Sequence, residues 1–530
     1  MALLEIRDLT VTLGERPILR GLDLSLGAGQ VLGVVGESGS GKSMTALAIL
    51  GLLPPGAKSA GGIVFDGEDL LALPDHALAR LRGNRIGMVF QEPMTALNPV
   101  MTIGAQVAEG VRLHRKASHK EAQAAARQAL DRVGLSAIPL SRYPHELSGG
   151  QRQRVAIAMA IVLTPRLLIA DEPTTALDVT TQADILDLLR QLVREDDAAL
   201  ILVSHDLAVV AQVADQVAVM QDGQIVEAGE TGAVFTALAH PYTRKLAADA
   251  ERAPIRTRKP DLAAAPVLEA DGVARSYPGA RRLLGRAPAH HALTDVSLAI
   301  RPGEIVGLVG ESGSGKSTLL RALLALEPVQ AGEVRLGGER FTPSSPRQRR
   351  RRLQIVFQDP QGSLDPRWTV ERLVAEPLHL LETRLSPAER RAKVETVLTQ
   401  VGLPPGAADR YPHQFSGGQR QRIAIARALI VEPDIIALDE AVSALDVTVR
   451  AEVLDLLARL SDDLGVAYLF VTHDMGVVRG LTDRVLVLKD GVIVEQGPTA
   501  EMFAAPQHPY TAQLIAATPD LKRALAQRAR

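Results

Sequence analysis

Short, wholly apolar segments recur along the chain, between longer segments in which apolar residues return every three or four positions. The runs VLGVVG (31–36) and LLIA (167–170) are typical of buried strands in a parallel sheet. The stretches 44–53, 119–134 and 387–402 have helical spacing instead. This alternation predicts an α/β fold in each half of the chain, with a parallel-sheet core and a smaller helical subdomain inserted into it.

Almost the whole chain is an internal repeat. Four strings occur twice and in the same order, namely GESGSGKS at 36–43 and 310–317, SGGQRQR at 148–154 and 416–422, ALDVT at 176–180 and 444–448, and HPYT at 240–243 and 508–511. The last three pairs are 268 residues apart and the first pair is 274 apart, while the second copy has about ten extra residues around 281–289. Length changes therefore fall in loops between the motifs.

A segment without periodicity separates the two copies. Residues 247–266, AADAERAPIRTRKPDLAAAP, consist mainly of alanine, proline and charged residues, which is typical of a linker. We therefore expect two domains, 1–250 and 266–530, joined by a linker over 251–265.

Composition narrows the classes of function. The chain has 530 residues, 46% of them hydrophobic and 23% charged, which is ordinary for globular domains. A net charge of -2 provides no overall basic field for nucleic acid, and we expect no such partner. The absence of cysteine excludes disulfides, zinc–thiolate sites, iron–sulfur clusters and cysteine nucleophiles. Since the sequence has no apolar run of 18 residues and no export signal, we expect a soluble cytoplasmic protein.

Each copy of GESGSGKS follows an apolar strand and precedes a helical segment, which is the P-loop pattern. Its glycines let backbone N–H groups converge, and the next helix adds its positive end, so a triphosphate fits there. The lysine would neutralise phosphate charge, and the serine after it would bind Mg2+. The predicted ATP-binding residues are Gly36, Ser38, Gly39, Gly41, Lys42, Ser43 and Met44, and in the second copy Gly310, Ser312, Gly313, Gly315, Lys316, Ser317 and Thr318.

A strand that ends in two carboxylates follows in each half, as LLIADE (167–172) and IIALDE (435–440). A strand end that projects acids toward a P-loop is the arrangement that phosphoryl transfer needs. We expect the first acid, Asp171 or Asp439, to hold Mg2+. The second acid, Glu172 or Glu440, would polarise the attacking water and is the predicted catalytic residue.

The strings LSGGQ (147–151) and FSGGQ (415–419) begin their SGGQ part 24 residues before these glutamates, and this resembles the signature of ATP-binding cassette ATPases. The resemblance implies two P-loop NTPase domains, or cassettes, each a RecA-like parallel-sheet core with an inserted helical subdomain. It also implies that the two cassettes pack head to tail, so that the signature of each cassette closes over the ATP held by the P-loop of the other. A chain with two cassettes would then make both ATP sites by itself. The signature residues carried over are Ser148, Gly149, Gly150 and Gln151, and Ser416, Gly417, Gly418 and Gln419.

Three further motifs match this family. Gln91 and Gln358 resemble the Q-loop glutamine, which contacts Mg2+ or water and links the site to the helical subdomain. His205 and His473 lie 33 residues after the glutamates and resemble the catalytic switch histidine. Asp178 and Asp446 resemble the D-loop, which crosses the interface between cassettes.

The two copies differ at two places. Tyr277 matches the aromatic residue that stacks on adenine in this family, but its counterpart in the first half is Leu13. The sequence after the catalytic pair is DEPTT (171–175) in the first half and DEAVS (439–443) in the second. Both catalytic carboxylates are present, so we expect two hydrolytic sites of unequal affinity.

The segments around HPYT resemble the C-terminal extension of oligopeptide, dipeptide and nickel importer ATPases. The fusion of two cassettes in a chain of this length most resembles the ATPases of microcin C and related peptide importers, and next the glutathione importers. This implies a peripheral ATPase on the cytoplasmic face of the bacterial inner membrane, docked near 98–104 and 365–370 on two membrane-spanning permease subunits and served by a periplasmic peptide-binding protein. Its cofactors would be ATP and Mg2+.

For HPYT itself we expect a turn before a short helix with no catalytic role. For the basic run 347–352 we expect a solvated loop.

Other functions remain open at this stage. A soluble tandem cassette protein acting on ribosomes would share the motifs, although its linker is usually longer. A DNA-repair cassette protein would need zinc cysteines, and a chromosome-structure ATPase would need long coiled coils. A purely regulatory nucleotide sensor is disfavoured because both glutamates are present. The sequence leaves the solute open among di- and oligopeptides, glutathione and peptide antibiotics.

Overall fold

Two six-stranded sheets form the centres of the two halves. The structure is a computed structural model that describes residues 2–91, 96–175, 177–278, 281–282, 285–286, 289–443 and 445–528. The strands of the first half are β1 Ala2–Leu13, β2 Arg16–Gly27, β3 Val31–Val35, β4 Ala57–Phe65, β5 Glu68–Asp69, β6 Ile86–Val89, β7 Leu167–Asp171, β8 Ala199–Ser204, β9 Gln216–Gln221 and β10 Gln224–Glu230. The strands of the second half are β11 Leu268–Tyr277, β12 Arg281–Arg282, β13 Gly285–Arg286, β14 His290–Ile300, β15 Ile305–Val309, β16 Ala331–Leu336, β17 Glu339–Arg340, β18 Leu353–Val356, β19 Ile435–Asp439, β20 Ala467–Val471, β21 Arg484–Lys489 and β22 Val492–Pro498.

Helices follow or connect most of these strands. Those of the first half are α1 Lys42–Ile49, α2 Asp75–Leu81, α3 Ile103–Arg115, α4 His119–Arg132, α5 Gly149–Ile161, α6 Val179–Asp196, α7 Leu207–Val213, α8 Thr231–Ala237 and α9 Pro241–Glu251. Those of the second half are α10 Lys316–Leu323, α11 Pro360–Ser363, α12 Val370–Val374, α13 Pro387–Gln400, α14 Gly417–Leu429, α15 Val447–Leu464, α16 Met475–Leu481, α17 Thr499–Ala504, α18 Pro509–Ala517 and α19 Leu521–Arg528. Short 3-10 helices cover Leu70–Ala72, Pro144–Glu146, Arg347–Arg352, Glu376–Leu380, Pro405–Asp409 and Pro412–Gln414.

The large sheets confirm the predicted parallel α/β core. In the first half the strand order is β10-β9-β3-β8-β7-β6, and every pair except β10–β9 is parallel. The second half has the corresponding order, with β15 between β20 and β21. Every residue of β3, β8 and β15 is buried, because helices or a second sheet cover both faces.

A four-stranded antiparallel sheet in each half was not predicted. In the first half its order is β2-β1-β4-β5. Its apolar side chains, including those of Leu4, Ile6 and Val11, form one core with Ile49 of α1 and Val34 of β3. This sheet therefore covers one face of the large sheet, with α1 between them, and fixes the helix that follows the P-loop.

The helical subdomain lies between β6 and β7 along the chain, and its counterpart lies between β18 and β19. The predicted helices 119–134 and 387–402 correspond to α4 and α13, and each begins with a serine capping box, at Ser118 and Ser386. The helix predicted over 44–53 ends earlier, at Ile49, because Gly51 adopts a φ of 61° and a proline follows at position 54.

Several predicted features lie partly outside the described residues. These are the domain ends at 1 and 529–530, the residues 92–95 after Gln91, positions 176 and 444 of the ALDVT repeats, and positions 279–280, 283–284 and 287–288 in and beside the extra segment. Among the described residues, no helix has both the length and the apolar character needed to cross a bilayer.

The basic run 347–352 forms a surface 3-10 helix whose arginines bind the chain itself. Arg350 donates hydrogen bonds to the carbonyl oxygens of Leu324 and Ala325, at the end of α10. Arg352 pairs with Asp434. Arg350 thereby satisfies carbonyl groups that a helix end leaves free.

The two halves contact each other through corresponding helices. Helix α9 of the first half packs on α15 of the second, and α18 of the second half packs on α6 of the first. Because α9 corresponds to α18 and α6 to α15, the two contacts are related by an approximate two-fold symmetry. The last helix, α19, adds a third contact, since Leu521 and Ala524 belong to the hydrophobic core of the first half.

The segment between the halves is held against the second half. The side chain of Arg256 is 11% exposed and lies between Asp462 and Asp483, and it also donates to the carbonyl oxygen of Gly303 at 2.9 Å. Thr257 binds Asp462 through both its N–H and its hydroxyl. Since these groups are largely withdrawn from water, the ion pairs depend on one another.

We predict that Arg256→Ala lowers the free energy of unfolding of the second half by roughly 3 kcal/mol, because it leaves two mostly buried carboxylates without their cation. Urea titration followed by tryptophan fluorescence measures this, since the single tryptophan, Trp368, lies in that half. Lys259→Ala, an exposed position in the same segment, is the control. Identical midpoints for Arg256→Ala and Lys259→Ala would contradict the prediction.

Candidate nucleotide sites

In each half the central strand leads into the P-loop, and the P-loop leads into a helix. β3 ends directly before the loop and α1 begins at Lys42, and β15 and α10 repeat this arrangement. Gly41, at the start of α1, has a φ of 104°, and a Cβ there would lie 2.6 Å from a methyl group of Leu19. Only glycine adopts this φ without strain and leaves room for the Leu19 side chain. The first turn of α1 thus directs its free N–H groups and positive end at the loop.

Both P-loop lysines are buried and bound to the loop itself. The Nζ atom of Lys42 lies 2.8 Å from the carbonyl oxygens of both Gly36 and Glu37, and Lys316 makes the corresponding bonds to Gly310 and Glu311. Burial lowers the pKa of each lysine, and nearby carboxylates oppose that shift. A bound phosphate would provide the negative charge that such a buried ammonium lacks.

The other predicted P-loop residues surround this lysine. Exposed at the loop tip are Ser38, Gly39, Ser312 and Gly313, and at the first helical turn lie Ser43, Met44, Ser317 and Thr318. The exposed tip leaves room for a ligand, and the helical turn beneath it is anchored in the core.

The residues at the end of β7 fit a Mg2+ ion. Asp171 is 5% exposed, and the Ser43 hydroxyl acts to lower the pKa of its carboxyl, against the effect of burial. Its Oδ1 atom is buried and has no hydrogen-bond partner among the described residues. Burial raises the pKa of both Asp171 and Asp439. A carboxylate oxygen and a hydroxyl are ligands that Mg2+ accepts, with nucleotide phosphates and water completing its shell.

The two glutamates share an uncommon backbone conformation. Glu172 and Glu440 each have a φ of 47°, in the left-handed region that non-glycine residues rarely adopt. Their N–H groups donate to the carbonyl oxygens of Val203 and Val471, at 3.0 and 2.9 Å. Such strain is often found at functional sites, and here it turns each side chain off the end of its strand.

The predicted glutamine and histidine converge on each glutamate. Gln91 donates from Nε2 to the Glu172 carboxylate at 2.8 Å, and Nδ1 of His205 lies 3.2 Å from its other oxygen. Gln358 and His473 make the same contacts with Glu440, at 2.7 and 3.2 Å. Each carboxylate is therefore fixed in one orientation.

These contacts keep the glutamates ionised. Burial raises the pKa of Glu172, but the hydrogen bonds from His205 and Thr175 and the charge of Lys42 outweigh it, so the pKa falls to about 2. The pKa of Glu440 is lowered for similar reasons. Burial lowers the pKa of His473, but its bond to Glu440 dominates and raises it.

The DEPTT and DEAVS segments support their glutamates differently. The hydroxyl of Thr175 donates to the Glu172 carboxylate at 3.0 Å. At the corresponding position, the hydroxyl of Ser443 donates to the backbone carbonyl of Glu440 at 2.9 Å. The first glutamate therefore has one more hydrogen bond on its reactive group than the second.

The signature segments are helix N-termini closed by capping boxes. Ser148 is the N-cap of α5, its hydroxyl accepts the N–H of Gln151 at 3.2 Å, and the Gln151 side chain accepts the N–H of Ser148 at 3.0 Å. Ser416 and Gln419 do the same at the start of α14. The glycines between them leave the first helical N–H groups uncovered, which suits an anion.

The signature and the opposite P-loop meet through the D-loop. A Cβ on Gly150 would lie 2.5 Å from the Thr181 side chain, so only glycine lets α5 approach the start of α6. Asp178, the N-cap of α6, accepts the N–H of Ser312 at 3.3 Å, and the hydroxyl of Thr180 lies 2.8 Å from the Glu311 carboxylate. Two residues of the second P-loop therefore bind the first half.

The corresponding contact on the other side is not made in the same way. The Thr448 hydroxyl and one carboxylate oxygen of Glu37 are buried without a hydrogen-bond partner among the described residues. Lys245 lies 3.7 Å from that oxygen, whereas the matching position in the second half is Gln513. The interface is thus symmetric in its helices and asymmetric in these side chains.

A cavity of about 370 Å3 lies between the halves. It is lined by Glu172 and His205 of the first half and by His473 and Asp474 of the second. Three of the four predicted catalytic residues, Glu172, His205 and His473, therefore line one shared space.

Tyr277 lies at the end of β11, as Leu13 lies at the end of β1. The Tyr277 hydroxyl donates to Glu327 at 2.8 Å, and the Arg275 guanidinium lies 5.1 Å from its ring centre. The matching positions for these three residues in the first half are apolar, namely Leu13, Leu53 and Val11. The second half therefore orients an aromatic ring where the first half has a leucine that is 40% exposed.

Sequence reasoning missed one pair of residues beside the P-loops. The hydroxyl of Tyr242 accepts the N–H of Glu37 at 3.0 Å, and the hydroxyl of Tyr510 accepts the N–H of Glu311 at 2.8 Å. Both tyrosines belong to the HPYT repeats, for which only a turn before a helix was predicted. The available signal was the recurrence of HPYT at the same 268-residue offset as the SGGQRQR and ALDVT motifs.

Comparison with known proteins agrees with these motifs. Residues 19–175 and 293–443 match the ABC transporter family, and residues 226–266 and 494–530 match the oligopeptide/dipeptide transporter C-terminal region. The glutathione import ATP-binding protein GsiA of Escherichia coli (strain K12) is 46% identical over 542 residues, which is 94% of this chain and 86% of that one. GsiA of Salmonella choleraesuis is 46% identical over 543 residues, with the same shares. Both are named for glutathione, which the sequence pattern ranked after microcin C.

Among solved structures, a dimeric post-hydrolysis state of the ATP-binding cassette MJ0796 bound to ADP and Pi is 32% identical, covers 44% of this chain and 98% of that chain, and has a TM-score of 0.39. The matches to transporter families and import proteins give no support to the ribosome-acting alternative. They confirm the resemblance drawn from the motifs. The chain therefore belongs to the ABC transporter family, as an ATPase with two cassettes, each followed by an oligopeptide/dipeptide transporter C-terminal region.

Proposed function

We propose that the chain hydrolyses ATP at two sites, each built from both cassettes, and thereby energises import of a peptide-class solute through separate permease subunits. The proposal divides the chain into cassettes 1–250 and 266–530 around a linker at 251–265. One observation supports it above all, which is that Asp178 and Thr180 of the first cassette hydrogen-bond to Ser312 and Glu311 in the second P-loop. A nucleotide at that loop would lie next to residues of both cassettes.

In the first P-loop, the backbone N–H groups and Lys42 bind the β- and γ-phosphates. Ser43 and Asp171 would hold Mg2+, with Gln91 as a further ligand through its amide oxygen, and these residues would thereby place a positive charge beside the phosphates. Glu172, held ionised, accepts the proton of the attacking water, while His205 keeps its carboxylate oriented. The second P-loop uses Lys316, Ser317, Asp439, Gln358, Glu440 and His473 in the same roles.

The signature helices complete each site from the opposite cassette. Ser416 with Gly417, Gly418 and Gln419 would face the γ-phosphate of the first P-loop, and Ser148 with Gly149, Gly150 and Gln151 that of the second. The uncovered N–H groups and positive helix ends favour the anion. Closure over ATP and reopening after hydrolysis would drive the permeases between two access states.

The proposed partners follow from the family. Two membrane-spanning permeases would dock beside the Q-loops, near 98–104 and 365–370, where the side chain of Val100 is 80% exposed. The chain would lie on the cytoplasmic face of the bacterial inner membrane, and a periplasmic peptide-binding protein would deliver the solute. The names of the 46% identical relatives make glutathione the first solute to test.

The importer role predicts specific partners. We expect a tagged Glu172→Gln/Glu440→Gln protein, purified with ATP from detergent-solubilised membranes, to retain two multi-span permeases identified by mass spectrometry. A tagged protein purified without ATP is the matched control and should retain less of them. Recovery of ribosomal proteins in place of permeases would contradict the importer role and leave the ATPase proposal standing.

Each catalytic glutamate should be needed for its own site. We expect Glu172→Gln and Glu440→Gln each to lower ATP turnover, with different residual rates, and the double variant to fall by roughly 100-fold or more, because an amide cannot accept the proton of water. Phosphate release measures this, with Glu382→Gln at an exposed position as the control. Wild-type turnover in either single variant would refute the two-site proposal.

The unequal adenine positions predict unequal affinities. Tyr277→Leu should weaken ATP binding at the second site by up to about tenfold, the effect expected for loss of one stacked ring. Calorimetric titration of a Lys42→Ala protein isolates that site. Leu13→Tyr should improve the first site less, because that half lacks the arginine and glutamate that orient Tyr277. No change in affinity for Tyr277→Leu would show that the ring does not stack on the base.

A further inference from the structure

The HPYT repeats lie behind the P-loops. Pro241 begins α9, and the imidazole of His240 accepts the N–H of Tyr242 at 3.2 Å, which caps the helix. This turns the Tyr242 side chain inward, where it is 7% exposed. The second cassette repeats the arrangement, and Tyr510 there is 3% exposed. In each repeat, the proline, the histidine cap and the start of the helix therefore place the tyrosine hydroxyl beside the P-loop.

Each phenol holds a peptide group that the P-loop lysine also holds. The peptide between Gly36 and Glu37 donates its N–H to Tyr242 at 3.0 Å, and its carbonyl oxygen accepts from Lys42 at 2.8 Å. In a trans peptide these two groups point in opposite directions. Lys42 thus holds the peptide from one side and Tyr242 from the other. Tyr510 and Lys316 hold the corresponding peptide at 2.8 and 2.7 Å.

The helices that carry these tyrosines also belong to the interface between cassettes. α9 packs on α15 and α18 packs on α6, so each tyrosine helix lies against the D-loop helix of the opposite cassette. Tyr510 and Leu514 share one hydrophobic cluster with Val179 at the start of α6. One side chain therefore links the packing of the two cassettes to the backbone of a P-loop.

We propose that Tyr242 and Tyr510 are positioning residues for ATP binding, each fixing the peptide behind its own P-loop according to how its helix docks on the opposite cassette. The inference rests on the proposed function, since it requires that the P-loops bind ATP. Without the hydroxyl, the N–H of Glu37 would lose its partner in a partly buried position, which is unfavourable. Rotation of the peptide to find a new partner would move the carbonyl of Gly36 away from Lys42.

The test measures ATP affinity at one site at a time. A Glu172→Gln/Lys316→Ala protein binds ATP at the first site without turnover, and Tyr242→Phe in this protein should raise the Kd for ATP with Mg2+ roughly tenfold. Tyr510→Phe should do the same in a Glu440→Gln/Lys42→Ala protein. Tyr143→Phe is the matched control, because Tyr143 is an exposed tyrosine whose hydroxyl has no part in either P-loop.

Calorimetry measures both the Kd for ATP and the number of sites per chain, and these two quantities distinguish a positioning residue from one needed only for folding. A residue needed only for folding would lower the number of sites per chain and leave their Kd unchanged, whereas a positioning residue raises the Kd at unchanged stoichiometry. An unchanged Kd for Tyr242→Phe, or a loss confined to stoichiometry, would overturn the inference. Failure of the Glu172→Gln/Lys316→Ala parent to bind ATP would instead refute the proposed function.

Discussion

The hydrogen bonds from loop 178–180 of the first cassette to the P-loop of the second are the contact on which the rest of the structure depends. The tip of a P-loop must stay open to phosphate, and Ser38, Gly39, Ser312 and Gly313 are exposed there. The opposite cassette supplies the missing neighbours, through Asp178 and Thr180. Because the interface is made of groups beside the proposed phosphate site, we expect ATP binding there to depend on the geometry of the cassette pair.

The two halves place their proposed sites on the same backbone arrangement, but several side chains around the sites differ. Both glutamates have the same strained φ and the same glutamine and histidine contacts. Thr175 nevertheless supports a carboxylate while Ser443 supports a backbone carbonyl. Tyr277 and Leu13 differ where the base would lie, and Lys245 has no counterpart in the second cassette. Each difference is local, so the two sites can diverge in affinity and rate without disturbing the shared core.

The sequence predicted the features that depend on short-range pattern. Strands such as 31–35, the helices beginning at His119 and Pro387, and the P-loops follow from apolar spacing, capping residues and glycine. It did not predict what depends on distant contacts. In the antiparallel sheets β1 pairs with β4, and β11 with β16, across the intervening P-loop and its helix. Arg256 contacts Asp483 more than 200 residues away, and Tyr242 reaches Glu37 across 205 positions. The φ of Glu172 was also hidden, because propensity alone assigns no glutamate to that region.

The central claim is that each ATP site takes residues from both cassettes, and site-directed cross-linking tests it most directly. Because the chain has no cysteine, a pair introduced as Ser38→Cys and Ser416→Cys in the Glu172→Gln/Glu440→Gln protein reports only on the first P-loop and the opposite signature. The account predicts a disulfide under mild oxidation whose yield rises with ATP, and none between Ser38→Cys and Ser148→Cys within one cassette. Cross-linking of the pair within one cassette, or none across the two with ATP present, would contradict it.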